Sequence, residues 1–428
     1  MNQVKTYPIK PGINLHYIHT EQFKTLSVGV HFHRPLRQEE ASANALLVSV
    51  LRRGNASFTD SVSLNRHLQD LYGAFFDSDI RRKGEDQILS FFINSVSDAY
   101  LPQKEACSQK VVDTLYDMIL CPQVAGGAFR ADYVEQEKVN LINDIKAQIN
   151  DKRSYALWRL IECMCEGEPY SVCELGKVEE VEKLTGESLY AQYKTVLSQS
   201  PVDIFVTGNA DIDAILRLTK ERFAEMNPGE HPYPVSSMYV PKGEVKEVTE
   251  SYDVTQAKLS IGFYTGIGPK DPRYSALMVY NSIFGSGAHS KLFNNVREKL
   301  SLAYYASSRL ERYKGMMVVS SGIEYQNKEK AQAEIFAQAD AMRRGDISDY
   351  ELDVSIKSIV NSLRSLGDSN GYLADYYLGQ VVSGTGISLE EQCQMIRAVT
   401  KEDVINVAQE IKPEMVYVMK GRKEEGEV

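Results

Sequence analysis

The chain of 428 residues repeats itself once. "TLSVGVHF" (Thr25–Phe32) returns as "KLSIGFYT" (Lys258–Thr265), and "LQDLYGAFFDS" (Leu68–Ser78) returns as "REKLSLAYYAS" (Arg297–Ser307). "DYVEQEKVNLINDI", from Asp132, returns as "DYELDVSIKSIVNSL", from Asp349. "LTGESLYAQY" (from Leu184) and "IFVTGNAD" (from Ile204) return as "VTKEDVINVA" (from Val399) and "VYVMKGRK" (from Val416). Five echoes in one order read as two copies of one domain, and such self-similarity constrains a fold before any single motif does. The offset between copies shrinks steadily from Leu26/Leu259 to Gly208/Gly421, so the longer insertions lie in the first copy.

The seam is visible in composition. Pro228, Pro232, Pro234 and Pro241 crowd one glycine-punctuated stretch, a linker signature. The expected division is a first domain over 1–227, a linker over 228–245 and a second domain over 246–428. Within a copy the order is strand pair, helix, strand pair, long helices, final strand. Strands grouped with strands predict an α+β fold, each domain a mostly antiparallel sheet covered by helices on one face. "SANALLVSVLRR" reads as a helix stopped by Gly54 as its C′ residue.

Net charge is −10, and an acidic surface repels phosphate backbones, which disfavours nucleic acid as a partner. Arg52–Arg53 and Arg81–Arg82–Lys83 are short and read as solvated faces. No apolar run has signal-peptide length and none reaches about 18 residues, so neither secretion nor a membrane span is expected; the expected location is the cytoplasm. Six cysteines without a secretory signal read as free thiols. Cys163, Cys165 and Cys173 lack the C-x-x-C knuckle of a zinc site.

The candidate chemistry narrows by exclusion. "GSGAHSK" lacks the G-K-[ST] of a phosphate loop; Gly285 and Gly287 read as a turn needing positive φ, and His289 as a loop residue. His31 and His33 share one strand face beside a strand carrying His16 and His19. With no carboxylate or cysteine in evident register, they read as partly exposed strand histidines. His67 reads as structural. No G-x-S-x-G, H-E-x-x-H or H-x-x-E-H occurs.

"FGSGAHSKLFNNVREKLSLAYYASS" and the closing "VTKEDVINVAQEIKPEMVYVMKG", in a duplicated α+β chain, resemble the insulinase/pitrilysin metallopeptidases, including the mitochondrial processing peptidases and their bacterial relatives. The resemblance covers nearly the whole chain. It implies a processing-peptidase-like α/β roll. In that family H-x-x-E-H on a helix before a K-G or R-G turn supplies two zinc ligands and the glutamate that polarises water, and a later carboxylate is the third ligand. Anchored on Gly54, those positions fall at Ala45, Val48 and Ser49, with Asp144 at the third-ligand position seven residues after Glu137. Only Asp144 keeps a donor of the required kind, so the resemblance implies a domain without its metal and no cofactor in this chain. The family's arginine–tyrosine pair, seven residues apart in the second domain, is matched by Arg297 and Tyr304. One departure is Ser301, where the family pattern has glycine. The implied role is a zinc-less subunit whose Arg297 and Tyr304 complete the site of a zinc-bearing partner of similar length acting on peptides. A peptide-binding or structural scaffold, a homodimer among its forms, is the alternative. A self-sufficient metal site using His31, His33 or Asp144 is a third reading.

Overall fold

Strand β3 (Thr25–Pro35) shows how the first sheet is built. Leu26, Val28, Val30 and Phe32 alternate into the main core with Leu46, Leu47 and Leu51 of the helix Gln38–Leu51. Every residue from Val28 to Arg34 is buried, so the opposite face is covered too. The computed structural model describes residues 4–102, 106–229 and 231–421. Arg422 and Lys423 of the last echo, and Glu230 of the proline-rich seam, lie outside the described residues.

The first half supplies β1 (Val4–Lys10), β2 (Ile13–His19), β3, β4 (Phe75–Lys83), β5 (Asp86–Val96), a short hairpin of β6 (Val124–Ala125) and β7 (Ala128–Phe129), and β8 (Val202–Gly208). The second supplies β9 (Lys246–Tyr252), β10 (Ala257–Tyr264), β11 (Ala303–Glu311), β12 (Met316–Ile323) and β13 (Lys412–Gly421). One sheet runs β1-β2-β8-β3-β5-β4 and the other β11-β12-β10-β13-β9. Leaving β1 aside, the two orders match strand for strand, and each sheet has a single parallel pair, β2 with β8 and β13 with β9. The architecture is α+β, two mixed sheets covered by helices.

By contact, one compact unit comprises Met1–Lys146, Val172–Val235 and Leu366–Val382. The other comprises Ala147–Ser171, Ser236–Ser365 and Ser383–Val428. Each half of the sequence thus lends one helical segment to the other half's sheet. The helical layer expected on one face is present, and the lent helix covers the second. In the second unit Leu160, Ile161 and Met164 of the helix Lys152–Met164 pack with Met316, Val318, Met415 and Tyr417.

The helix Gln38–Leu51 is buried at ten of its fourteen positions, as expected of a helix apolar nearly all round. Its C-cap is Arg52, not a residue adjoining Gly54. Gly54 instead serves close approach: a Cβ there would lie 2.3 Å from the Phe58 carbonyl oxygen. Among the described residues no helix is long and apolar enough to cross a membrane.

Candidate functional site

The positions where the resemblance puts a metal face the wrong way and carry the wrong atoms. Ala45 and Val48 point into the apolar core at 1% and 3% exposure. The Ser49 hydroxyl donates back to the Ala45 carbonyl at 3.4 Å. Asp144 is exposed on the helix Ala131–Ala147. Glu137, on the same helix, is buried but pairs with Arg53, Nη1 to Oε1 at 3.3 Å. Two aliphatic side chains offer no lone pair, and one carboxylate beside a guanidinium cannot assemble a tetrahedral zinc site. Among the described residues no group of three or more His, Cys, Asp or Glu is placed to hold a metal ion. These residues do not fit zinc.

Arg297 and Tyr304 sit where the backbone departs from regular geometry three times in a row. Leu292–Lys299 is wound as a π-helix, its end marked by an N–H of Leu300 donating to Asn295, five residues back, at 3.2 Å. Ser301 then takes φ 50°. Finally Ala303 pairs with Ile323 while Tyr305 pairs with Gly322, leaving Tyr304 as the extra residue of a β-bulge. Such bulges re-aim a side chain. Both side chains face solvent, Tyr304 at 58% exposure. The Arg297 guanidinium lies 4.7 Å over the Phe293 ring, and its Nε is 3.4 Å from Glu298. The Tyr304 hydroxyl donates to the Glu324 carboxylate, a hydrogen bond that raises its pKa and keeps the phenol protonated.

The first copy is an internal control. At the positions aligned with Arg297 and Tyr304 it has Leu68, buried in the core at 6% exposure, and Phe75. Its helix Ser61–Asp70 is a regular α-helix, and β4 pairs with β5 without a bulge. Only the left-handed residue is shared: Tyr72, aligned with Ser301, has φ 57°. Tyr72 and Ser301 are the two non-glycine residues with positive φ among the described residues. The serine therefore holds a left-handed backbone, which glycine adopts at little cost. Left-handed φ costs an L-residue about 1 kcal/mol. Ser301→Gly should accordingly raise the unfolding free energy by about 1 kcal/mol in urea titration, with Tyr304 left in place.

The nearby glycines play different parts. Gly285 ends the helix Tyr274–Gly285 without positive φ; a Cβ there would lie 2.7 Å from the Ser308 backbone nitrogen. Gly287 alone of the two has positive φ, at 115°. His289 bonds the hydroxyls of Ser355 at 2.9 Å and Ser282 at 3.2 Å, and so ties the turn to two helices.

A family model described as "Peptidase M16 inactive domain" matches residues 183–359. The probable inactive metalloprotease YmfF of Bacillus subtilis (strain 168) is 35% identical over 417 residues, 96% of this chain and 96% of that protein. This chain belongs to the M16 (insulinase/pitrilysin) peptidase family. A crystal structure of a conserved protein from Enterococcus faecalis V583 matches the M16 fold seen here with a TM-score of 0.92 at 31% identity, covering 98% of this chain and 99% of that one. An uncharacterized zinc protease, YmxG, from the same Bacillus subtilis strain is 25% identical over 240 residues, 55% of this chain and 58% of that protein.

The M16 chain also holds a buried charge network that the histidine spacing did not disclose. His16 and His33 are not partly exposed; both are buried, at 6% and 0%. His33 lies between two carboxylates, Nδ1 at 2.6 Å from Asp86 and Nε2 at 3.0 Å from Asp203. Nδ1 is hydrogen-bonded to Asp86, while Nε2 and Asp203 are at ion-pair distance outside hydrogen-bond geometry. His16 Nε2 donates to the other Asp203 oxygen at 2.6 Å. Burial alone would push His33 down; Asp86 and Asp203 outweigh it and hold its pKa up to about 10. Burial opposes ionised Asp203 too, yet His16 and His33 hold it well below the usual carboxylate range. His31 bonds Ser90 at 2.9 Å; burial, then Arg81 and His33, push its pKa down to about 3. The short basic stretches are engaged as well: Arg81 and Lys83 both pair with Asp375, each at 2.8 Å.

A histidine raised in the folded state stabilises fully below its unfolded pKa, and that stability is lost as pH rises through the folded value. For His33 the window runs from about 6.5 to about 10. Urea midpoints should fall across it, by up to about 1.4 kcal/mol per pH unit, and His33→Gln should flatten the slope.

Proposed function

We propose that this chain is the zinc-less subunit of a two-subunit M16 peptidase, inactive alone, that supplies Arg297 and Tyr304 to the zinc site of a homologous partner in the cytoplasm. The observation that carries this reading is the contrast between copies. The second copy presents an arginine and a tyrosine on a π-helix and a β-bulge, where the first copy has a buried leucine on a regular helix and, on a regular strand, a phenylalanine as exposed as the tyrosine. Irregular backbone of this kind persists where function requires it.

The chemistry follows from the donors. A guanidinium presents a fixed fork of N–H groups to peptide carbonyls. The Tyr304 phenol, protonated in its hydrogen bond to Glu324, would exchange that acceptor for the scissile carbonyl oxygen and donate to the negative charge that develops there, while a zinc held by the partner would polarise the water. Zinc and the general base would come from the partner, since Ala45 and Val48 supply neither. The Bacillus subtilis relatives support this pairing, because one strain carries both a probable inactive metalloprotease and an uncharacterized zinc protease that are similar to this chain.

The test mixes the purified chain with an H-x-x-E-H-bearing homologue of similar length from the same source and measures peptide cleavage. Neither chain alone should cleave, and the mixture should. A stable homodimer that binds peptides and leaves the zinc-bearing chain's activity unchanged would point instead to the scaffold role.

A further inference from the structure

In the second unit the lent helix Lys152–Met164 carries an arginine to the sheet it covers. Register sets Lys258 on β10, Gly322 on β12 and Tyr305 on β11 side by side, so the three residues share one face. Gly322 keeps that face low: a Cβ there would lie 2.5 Å from Tyr305 Cε1, so the ring rests on the glycine. The Tyr305 hydroxyl accepts from the Ser320 hydroxyl at 3.5 Å. Around this fixed ring stand two cations. The Arg153 guanidinium lies 4.2 Å from the ring centroid and the Lys258 ammonium 5.8 Å from it, both within cation–π range.

Neither cation pairs with a carboxylate among the described residues. Arg153 donates to the Ser307 hydroxyl at 2.8 Å, and Lys258 donates to the Gln256 carboxamide oxygen. Both acceptors are neutral. Lys258 is half-buried, and burial, then the Arg153 charge, push its pKa down. Arg153 is exposed, and a guanidinium has five N–H donors, of which the Ser307 bond uses one. Lys258 stands where the first copy has the neutral Thr25.

The balance of charge names the ligand. Asp151 is the carboxylate whose field reaches Tyr305, and it is engaged as the helix N-cap, accepting from the Arg153 and Ser154 backbone nitrogens. Arg153 and Lys258 set against Asp151 leave a surplus of one positive charge, in a chain whose net charge is −10. A single negative charge fits that surplus better than a phosphate dianion. A carboxylate also matches the planar fork of a guanidinium, and it would relieve the repulsion between the two cations.

We infer that Arg153 and Lys258, set about the Tyr305 ring, form a binding site for a peptide carboxylate. Arg153 supplies the fork, Lys258 a second charge, and Gly322 and Ser320 hold the ring that spaces them. That the carboxylate belongs to a peptide rests on the peptidase reading; the unpaired cations do not. A free C-terminus and an acidic side chain offer the same chemistry, and the probes separate them.

Isothermal titration of the full-length chain alone tests the site with three peptides: N-acetyl-trialanine as the free acid, the same peptide as its C-terminal amide, and N-acetyl-alanyl-glutamyl-alaninamide. A carboxylate-bearing peptide should bind saturably at one site, at least about tenfold more tightly than the uncharged amide. Tighter binding of the acid identifies a C-terminus, and tighter binding of the glutamyl peptide an acidic side chain. Arg153→Gln and Lys258→Gln should each weaken that peptide by at least about tenfold. Lys330→Gln, which removes an exposed cation from the helix Lys328–Arg343, should not. No cleavage is measured, so a mixed pair that fails to cleave leaves this result standing, and a failed titration leaves the cleavage test standing. Carboxylate peptides that bind no better than the amide, no saturable heat, or a folded Arg153→Gln/Lys258→Gln chain with wild-type affinity overturns the inference.

Discussion

Tyr304→Phe is expected to lower peptide cleavage by the mixed pair about 10²–10³-fold in kcat, the usual cost of one oxyanion donor. KM should change little, because the phenol's hydrogen bond is aimed at charge that develops only in the transition state. Arg297→Ala should act differently. A guanidinium gripping substrate carbonyls binds ground state and transition state alike, so KM should rise along with any fall in kcat. Arg297→Lys should rescue poorly, since a point charge does not reproduce the planar fork. Phe75→Leu, at the aligned position of the first copy, is the control and should leave cleavage at the level of the unaltered mixture. The zinc content of the partner should be the same in every mixture. If both Tyr304→Phe and Arg297→Ala retain full activity, the completing role is wrong.

Much of the fold was legible because the two copies report on each other. Repeated strands at Thr25 and Lys258 proved to be the central strands β3 and β10, and the sheets share one strand order. The lent helices were not legible. "KRSYALWRLIECM" and "NGYLADYYLGQVV" are amphipathic or apolar enough to be helices, but periodicity says which face is buried and not against which sheet. Family spacing pointed to Arg297 and Tyr304, while the π-helix and the bulge that expose them left no signal in composition. Ser301 is instructive here. A serine stands where the family pattern has glycine, and tertiary context holds it at φ 50°, as it holds Tyr72 in the other copy.

The histidine network was missed for a related reason. His31 and His33 share a face, as period-two spacing requires, but their partners come from strands far away in sequence. Asp203 is the second residue of the largely apolar strand "VDIFVTG", and Asp86 begins β5. A lone aspartate in a strand buried at every position was the available clue, because such a charge is retained only when paired.

That pairing makes Asp203→Ala the largest stability effect expected from a single substitution here. Asp203 is fully buried, bonds the His16 imidazole at 2.6 Å and pairs with that of His33 at 3.0 Å. Removing one partner from a buried ion pair strands the remaining charge and costs about 3–5 kcal/mol. A domain's whole stability is about 5–15 kcal/mol, so the variant should unfold at much lower urea or be recovered in low yield. Asp203→Asn keeps the shape and one acceptor, and should lose less. The pH dependence separates this electrostatic loss from a simple cavity. With Asp203 gone, less holds the His33 pKa near 10, so the deficit against wild type should be greatest near pH 6.5 and shrink toward pH 10, where wild-type His33 also releases its proton. A cavity left by a missing side chain would cost the same at both pH values. A urea deficit that does not change with pH would therefore assign Asp203 to packing rather than to charge.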